Sequence, residues 1–170
     1  MKIMKKATTL VSIILITAAS FLAPQNAVAQ VTDAEKQLAK TELNRINAEF
    51  IRSVNDQNIP GVLKEYSPNV MSINPDGSVN NYQQIAGGLE KGFKSVKSIK
   101  YTMVKEEYRV LSATLVLCTW TGTVETELKT GKRMKNFPHI ASLLYTKVNG
   151  KWLIEYEHVS EAPPKPEGQN

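Results

Sequence analysis

Apolar residues recur at helical spacing through the first part of the chain and at alternate positions through the last part. Between Thr32 and about Asn55 they fall three or four positions apart, which predicts one long amphipathic helix. Thr32 or Asp33 with Glu35 or Lys36 supplies a start for this helix. The apolar positions are Leu38, Leu43, Ile46, Phe50, Ile51 and Val54.

The middle of the chain predicts short elements separated by turn residues. A second helix is expected over Ile59–Tyr66, with a proline in its first turn. Val70–Ile73 reads as a short strand, and Asn74–Gly77 reads as a turn that leads into a brief return strand. Asn80 or Asn81 can then cap a third helix, which two adjacent glycines weaken by about 1 kcal/mol each relative to alanine.

Everything after this third helix reads as antiparallel strands separated by turn residues, of which Asn149-Gly150 is the strongest hairpin signal. The predicted strands are Ile99–Val110, Ala113–Leu128, Met134–Lys147 and Trp152–Ser160. Helices come first and strands follow, which favours the α+β class. The expected fold is three N-terminal helices packed on a strongly curved antiparallel β-sheet that encloses a pocket.

The last predicted strand carries the most informative pattern. Its alternate residues Trp152, Ile154, Tyr156, His158 and Ser160 begin with a large aromatic and end with an imidazole and a hydroxyl. By alternation these residues share one face of the strand, which reads as a pocket wall that becomes polar at one end. The intervening glutamates of the strand are then expected to face solvent.

The ends of the chain are expected to lie outside the folded domain. Residues 1–29 combine a basic start, an apolar run and a small-residue cleavage site, which is typical of a signal peptide. Residues 161–170 are rich in proline and polar residues, so a disordered tail is expected there. The sequence therefore predicts an exported protein, periplasmic or secreted, whose single domain spans residues 30–160.

The charge argues against nucleic-acid binding, and the cysteine content excludes an intrachain disulfide. Loss of residues 1–29 removes three lysines and lowers the formal charge from +5 to +2, so no dense basic stripe remains for nucleic acid. No membrane contact is expected after cleavage. Cys118 is the only cysteine, which excludes an intrachain disulfide, and its apolar surroundings indicate a buried thiol.

The order of elements and the last strand together resemble the nuclear transport factor 2-like superfamily, and in particular its SnoaL-like branch. The resemblance covers nearly all of residues 32–160. Its carriers are the long first helix with the connection at 55–61, the hairpin at 70–77, the helix at 82–89 and the ending from Asn149-Gly-Lys-Trp152 to His158-Val-Ser160.

This resemblance implies a cone-shaped sheet closing around a pocket, with helices over the open side and often a dimer through the convex face. Some members are ketosteroid isomerases, polyketide cyclases or scytalone dehydratases, and many bind without catalysis. Isomerase chemistry requires a carboxylate base and a tyrosine with a protonated acid. No aspartate occurs after Asp76, and Glu155 and Glu157 are expected on the solvent side. The isomerase residues are therefore not carried over.

Candidate site residues follow from the aromatic and histidine positions. His158 with Tyr156 is the candidate acid/base pair, and no metal site or cofactor is expected because no third ligand is placed beside the two histidines. The candidate ligand-binding residues are Tyr66, Tyr82, Trp120, His139, Tyr156 and His158. His139 follows Pro138, which predicts a bulge or an edge at that point.

Three functions remain open from the sequence. The first is a small-molecule-binding domain that holds an apolar or amphipathic ligand without catalysis. The second is a lyase, isomerase or cyclase that uses His158 with a tyrosine. The third is a protein-interaction module, and for all three a homodimer is expected.

Overall fold

The computed structural model describes residues 30–161, except for the side chains of residues 135–137 and 161. The predicted signal segment at residues 1–29 and the predicted tail after Glu161 lie outside the described residues. Within 30–161 no helix is both long enough and apolar enough to cross a membrane.

Within residues 30–161 the structure has three helices and six strands, and the four longest strands follow the last helix. The helices are α1 (Asp33–Asn55), α2 (Ile59–Leu63) and α3 (Tyr82–Ser95), and the strands are β1 (Tyr66–Ile73), β2 (Val79–Asn80), β3 (Val96–Ser112), β4 (Leu115–Leu128), β5 (Arg133–Val148) and β6 (Lys151–Glu161). The strands form one curved, unclosed sheet in the order β2-β1-β6-β5-β4-β3. The predicted α+β class is confirmed.

Sheet pairing joins the first strand to the last. β3, β4, β5 and β6 pair antiparallel in chain order, as the turn signals predict. β6 also pairs with β1, and this pairing is parallel. The parallel pairing, which hydrophobic alternation does not predict, places the side chains of β1 beside those of β6.

The start of α1 agrees with its sequence signals. The Thr32 hydroxyl accepts from the backbone N–H of Glu35, and the Glu35 carboxylate accepts from the backbone N–H of Thr32. This reciprocal capping box satisfies two helix donors that would otherwise be unpaired. One face of α1, with Leu43 fully buried, then packs onto the sheet.

The predicted extent of α2 is wrong at its end. The helix stops at Leu63, and Tyr66 already belongs to β1, opposite Ile154 of β6. The carbonyl oxygen of Glu65 accepts from the backbone N–H of Ile154 at 2.8 Å. Pairing with β6 therefore ends the helix one turn early, since tertiary contacts override a weak local helical preference.

The core lies between α1 and the inner face of the sheet. Phe50 on α1 packs edge-to-face on Trp120 of β4 at 5.5 Å and on Tyr66 of β1 at 5.9 Å between ring centroids. Trp120, Tyr145 and Leu143 are among the largest fully buried side chains. These aromatic contacts fix the helix over the centre of the sheet.

A β-bulge in β6 reverses the predicted alternation. Tyr145 of β5 pairs with Ile154, but the next residue, Leu144, pairs with Tyr156, so Glu155 is an extra residue on β6. The expected single face through His158 is therefore wrong, because one inserted residue exchanges the two faces of a strand. Beyond the bulge Glu157 faces inward, whereas His158 is exposed on the outer face.

Candidate functional site

A carboxyl group and two hydroxyl groups meet on the inner face where β1 and β6 run side by side. Glu157 lies directly opposite Ser72 in the parallel register. The Ser72 hydroxyl donates to Glu157 Oε2 at 2.8 Å, and the Tyr66 hydroxyl lies 3.2 Å from both Glu157 oxygens. Ser72 and Tyr66 are 2% and 7% exposed. We call these three residues the Glu157 cluster.

Two residues of the Glu157 cluster, Ser72 and Glu157, line a cavity of about 250 Å³ beneath α3. Its lining contains both polar and apolar side chains. The lining residues are Ser72, Asn74, Asn80, Gln84, Ile85, Gly88, Leu89, Gly92, Phe93 and Glu157. An amphipathic wall of this kind suits a ligand with one polar end and one apolar end.

Helix α3 covers the cavity without filling it. The Asn81 side chain caps its start, and the Gln84 side chain accepts from the Asn81 backbone N–H. No residue of α3 is fully buried, although Ile85 and Leu89 pack against the core from outside. Its apolar face is therefore only partly covered by protein.

Two glycines of α3, Gly88 and Gly92, keep space free above the Glu157 cluster. A Cβ atom added at either position would meet no heavy atom within 4 Å, so neither glycine is required for a close approach. Neither has a positive φ that would require glycine. Glycine in a helix costs about 1 kcal/mol relative to alanine. These positions thus weaken the helix and leave the cavity open.

Burial sets the protonation of the Glu157 cluster. Desolvation raises the pKa of Glu157 above its ordinary value of 4.5, against the opposing effect of the hydrogen bonds from Ser72 and Tyr66. Burial, followed by the nearby Glu157 charge, raises the pKa of Tyr66 well above 10.0. A carboxyl group whose pKa is raised in a cavity is a candidate proton donor or acceptor.

A tyrosine and a histidine form a second polar group on the inner face. The Tyr101 hydroxyl lies 2.8 Å from His139 Nδ1, and the rings meet edge-to-face at 5.1 Å. Tyr101 is on β3 and His139 on β5, so the Tyr101 side chain crosses β4 at Gly122. A Cβ atom at Gly122 would lie 2.9 Å from Tyr101 Cε1 and 2.7 Å from the Thr102 carbonyl oxygen. Only glycine fits beneath this ring.

The Tyr101–His139 pair is held largely neutral by its surroundings. Burial lowers the pKa of His139 below 6.5. Burial, and then the charges of Glu157 and Glu106, raises the pKa of Tyr101. A neutral imidazole that bonds a tyrosine through Nδ1 retains Nε2 for hydrogen bonding or proton transfer.

A third polar group lies deeper between α1 and the sheet. Asn47 is fully buried; its Oδ1 accepts from the Tyr145 hydroxyl at 2.6 Å, and its Nδ2 donates to the Tyr108 hydroxyl at 2.9 Å. Nδ2 also lies 3.8 Å from Cys118 Sγ. We call these four residues the Asn47 cluster. None of them lines the cavity beneath α3.

The single cysteine is buried as the sequence predicts. Burial is the first cause that raises the pKa of Cys118 to about 12. At neutral pH the thiol is therefore protonated, which disfavours a nucleophilic role.

The structure places the predicted site residues in separate parts of the molecule. Tyr66 lies in the Glu157 cluster, and His139 lies in the Tyr101–His139 pair. Trp120 is a core residue, 2% exposed. Tyr82 packs against the core at the start of α3.

The predicted acid/base pair lies on the opposite face of the sheet from the cavity. Tyr156 pairs across the strands with Leu144, and His158 pairs with Ser142, on the outer face. His158 is exposed. A catalytic role for the two residues stays a prediction, but the cavity beneath α3 does not bring them together with its lining residues.

Sequence reasoning missed Glu157, Ser72 and Tyr101 as site residues. One signal in β6 could have revealed Glu157: the apolar residues Trp152 and Ile154 are even-numbered, whereas Val159 is odd-numbered. Such a change of parity within one strand indicates an inserted residue. The parallel neighbour of Glu157 carries no comparable signal, because parallel pairing leaves no local sequence pattern.

Within residues 30–161 no group of three or more histidine, cysteine, aspartate or glutamate side chains is placed to hold a metal ion. Trp120 Nε1 is buried without a hydrogen-bond partner among the described atoms.

Helices laid over a curved, unclosed sheet, with a cavity beneath one helix, define an α+β cone domain. Residues 43–164 match the family model of the SnoaL-like domain, so the chain belongs to the SnoaL-like family. Its place in the wider nuclear transport factor 2-like superfamily, expected from the sequence, is confirmed. A comparison with curated protein sequences finds no match.

Solved structures of similar fold differ widely in what they are described to do. A proposed scytalone dehydratase from Novosphingobium aromaticivorans DSM 12444 is 8% identical, with 82% of this chain and 99% of that chain covered at a TM-score of 0.70. A hexachlorocyclohexane dehydrochlorinase from Novosphingobium barchaimii LL02 is 7% identical, with 79% and 96% covered at 0.68.

A third similar structure has a cystatin-like fold and comes from Caulobacter vibrioides. It is 17% identical, with 74% of this chain and 90% of that chain covered at a TM-score of 0.64. At such identities the similarity shows the fold alone, and function must be argued from the site.

Proposed function

We propose that the protein binds a small amphipathic molecule in the cavity beneath α3. One observation carries this proposal: the Glu157 side chain and an apolar helix face line the same open space. The volume of about 250 Å³ lies just below the ~300–1,000 Å³ typical of drug-sized ligands. The ligand is therefore small.

The arrangement of donors and acceptors supports a polar end that is held in one orientation. Glu157 accepts hydrogen bonds from the Ser72 and Tyr66 hydroxyl groups, which fix its side chain at the edge of the cavity that it lines. The side-chain oxygen of Gln84 is used by the helix cap, which leaves its Nε2 as a donor. Preorganised polar groups of this kind reduce the cost of binding.

A cavity-filling variant tests the binding proposal. Gly88→Leu places a side chain in the cavity, whereas Gly87→Leu makes the same change on a part of α3 that does not line it. Three probes that share a benzyl or phenyl body, namely benzylamine, benzyl alcohol and benzoate, are titrated while α3 backbone amide signals are followed by NMR. We expect saturable shifts with at least one probe, and at least tenfold weaker binding for Gly88→Leu only.

Two results would contradict this proposal. One is the absence of saturable shifts on α3 with all three probes. The other is binding that Gly88→Leu and Gly87→Leu weaken equally, since that pattern would indicate a general effect on the helix instead of occupation of the cavity.

A second candidate function is proton transfer of the lyase type, favoured by the raised pKa of Glu157. In this role the Glu157 carboxylate removes a proton from carbon or returns it. Exchange of the α-protons of cyclohexanone in D₂O, followed by NMR, tests the step directly. We expect acceleration by the native protein and loss with Glu157→Gln; equal exchange rates for both proteins would remove Glu157 from such chemistry.

We also propose export and dimerisation, both of which rest on the sequence. The outer face supports a dimer because Leu117, Leu144 and Tyr156 are cross-strand neighbours there and are only partly buried. Leu144→Lys should convert a dimer to a monomer in analytical ultracentrifugation. A native protein that sediments as a monomer at all concentrations would contradict this part of the proposal.

A further inference from the structure

The charges around the cavity are unbalanced. Among residues 30–161, Glu157 is the only ionisable residue that lines the cavity. Among the described residues, none of the ion pairs within 4.0 Å involves its carboxyl group. Two other glutamates that are at least partly buried differ from it, because each has a charged partner: Glu65 pairs with Lys64, and Glu42 pairs with Lys147.

We propose that the ligand of this cavity is a small organic cation, an amine whose ammonium group pairs with the Glu157 carboxylate while its apolar body lies beneath α3. This inference rests on the proposed binding function and names the class of ligand. A buried carboxylate without a charged partner is costly, and a bound cation supplies the missing partner.

The hydrogen-bonding pattern at Glu157 suits an ammonium group. Ser72 donates to Oε2, and Tyr66 shares one hydrogen between the two oxygens. An ionised carboxylate offers about four lone-pair sites, so these two hydroxyl groups leave acceptors free, chiefly on Oε1. An ammonium group carries donors only, and the side-chain oxygen of Asn74 is a second acceptor in the same cavity.

The apolar side of the cavity suits the body of such a molecule. Ile85, Leu89 and Phe93 line it from α3, and each is only partly buried in the absence of a ligand. Gly88 and Gly92 lie on the same helix face and leave open space between these side chains. A compact apolar group placed there removes this surface from water, which favours binding.

An anionic ligand is disfavoured by the same set of residues. In the part of the chain that the structure describes, no lysine, arginine or histidine lines the cavity, so an anion would face the Glu157 carboxyl without compensation. The raised pKa of Glu157 is consistent with the missing counter-charge, since burial is its first cause and no cation acts to lower it. Titratable groups that face Glu157 are Tyr66 on β1 and, further away, Tyr101 on β3.

The test varies the charge of one end of the probe and keeps its body nearly constant. Benzylamine, benzyl alcohol and benzoate are titrated against the full domain at pH 7 by calorimetry and by α3 amide shifts. We expect benzylamine to bind at least tenfold more tightly than benzyl alcohol, and benzoate to bind most weakly. Glu157→Gln should remove the preference for benzylamine.

Glu65→Gln is the matched control. Glu65 is also a buried glutamate whose burial raises its pKa, but it pairs with Lys64 and does not line this cavity. This variant should keep the native preference for benzylamine. Loss of the preference in both variants would show a general electrostatic effect and would overturn the assignment of the ammonium to Glu157.

The pH dependence gives an independent readout. Binding of an amine needs the ionised carboxylate, so it should weaken as the pH falls through the raised pKa of Glu157. A neutral ligand that accepts from the protonated carboxyl should show the opposite trend. Tighter binding of benzyl alcohol or benzoate, with saturable α3 shifts, would overturn the cation assignment and leave the binding function intact. Absence of binding by all three would contradict both.

Discussion

The Asn47 cluster and the Glu157 cluster are both polar groups on the inner side of the sheet. They differ in charge and in whether the protein supplies a partner for every polar atom. In the Asn47 cluster every polar atom of the central amide has a neutral partner from the protein. In the Glu157 cluster an ionisable carboxyl has only two hydroxyl donors and borders an open cavity. In the first arrangement the protein supplies partners for every polar atom of the amide, whereas in the second the carboxyl keeps unused acceptor positions beside a cavity.

This difference separates a structural role from a functional one. A buried polar network whose members are all satisfied fixes a unique packing of helix on sheet. A carboxyl with a raised pKa at a cavity lowers the stability of the empty protein, which is typical of binding and catalytic sites. Substitutions in the two clusters should therefore have opposite effects on stability.

The largest expected effect is at the Asn47 cluster. Asn47→Leu keeps the size of the side chain but leaves the Tyr145 hydroxyl buried without its acceptor. We expect the free energy of unfolding to fall by about 3 kcal/mol, the cost of breaking a buried hydrogen-bond network. Urea denaturation measures this change.

The control for this prediction is Asn44→Leu, the same substitution at an exposed position of α1. It should change the free energy of unfolding by about 0.5 kcal/mol or less. Equal effects of the two variants would show that the Asn47 cluster contributes little beyond helix packing. In that case the contrast between the two clusters would not hold.

The sequence predicts helix α1 and the β5–β6 hairpin far better than it predicts the residues of the cavity beneath α3. Helical periodicity with the Thr32 capping box locates α1, and Asn149-Gly150 locates the last hairpin, because these signals are local. Glu157 escapes such reasoning because one inserted residue, Glu155, turns it from the outer face to the inner face. The parallel pairing that brings Ser72 beside it is a long-range contact with no local pattern.

A smaller effect is expected at Gly122, which lies against the Tyr101 ring of the Tyr101–His139 pair. Gly122→Ala would force a methyl group against the Tyr101 ring and the Thr102 carbonyl oxygen. We expect a loss of about 1–3 kcal/mol in the free energy of unfolding, the range for overpacking a core. The His139 imidazole signals in NMR should shift as the bond to Tyr101 breaks.

Gly87→Ala provides the opposite case for comparison. A Cβ atom there meets no heavy atom within 4 Å, and alanine favours the helix by up to about 1 kcal/mol. This variant should be more stable than the native protein. If Gly122→Ala also raised the stability, the position of the Tyr101 ring would not require glycine at residue 122.

At the Glu157 cluster we expect a gain in stability. Because the pKa of Glu157 is higher in the folded state than its ordinary value of 4.5, the folded protein binds the extra proton more tightly. Stability from this group is present below the unfolded pKa and is lost as the pH rises through the folded pKa. Glu157→Gln does not titrate, so at pH 7 it should be more stable than the native protein, by on the order of 1 kcal/mol.

Thermal denaturation across pH distinguishes this effect from a general improvement in packing. The advantage of Glu157→Gln should shrink as the pH falls below the ordinary glutamate pKa, where the native carboxyl is protonated in both states. An advantage that stays constant from acid to neutral pH would show that charge is not its cause. If Glu157→Gln is less stable than the native protein at pH 7, Glu157 has a structural role like that of the Asn47 cluster.

The smallest effect is expected one residue further along β6, at His158. Its side chain is exposed on the outer face, so His158→Ala should change the free energy of unfolding by about 0.5 kcal/mol or less. It should also leave binding of benzylamine and exchange of cyclohexanone protons unchanged, whereas Glu157→Gln alters both. If His158 has the acid/base role that the sequence predicts, the result is the reverse: His158→Ala loses activity and Glu157→Gln keeps it. Because the two residues are adjacent, this pair of variants tests whether the inserted Glu155 decides which side chain of the strand reaches the ligand.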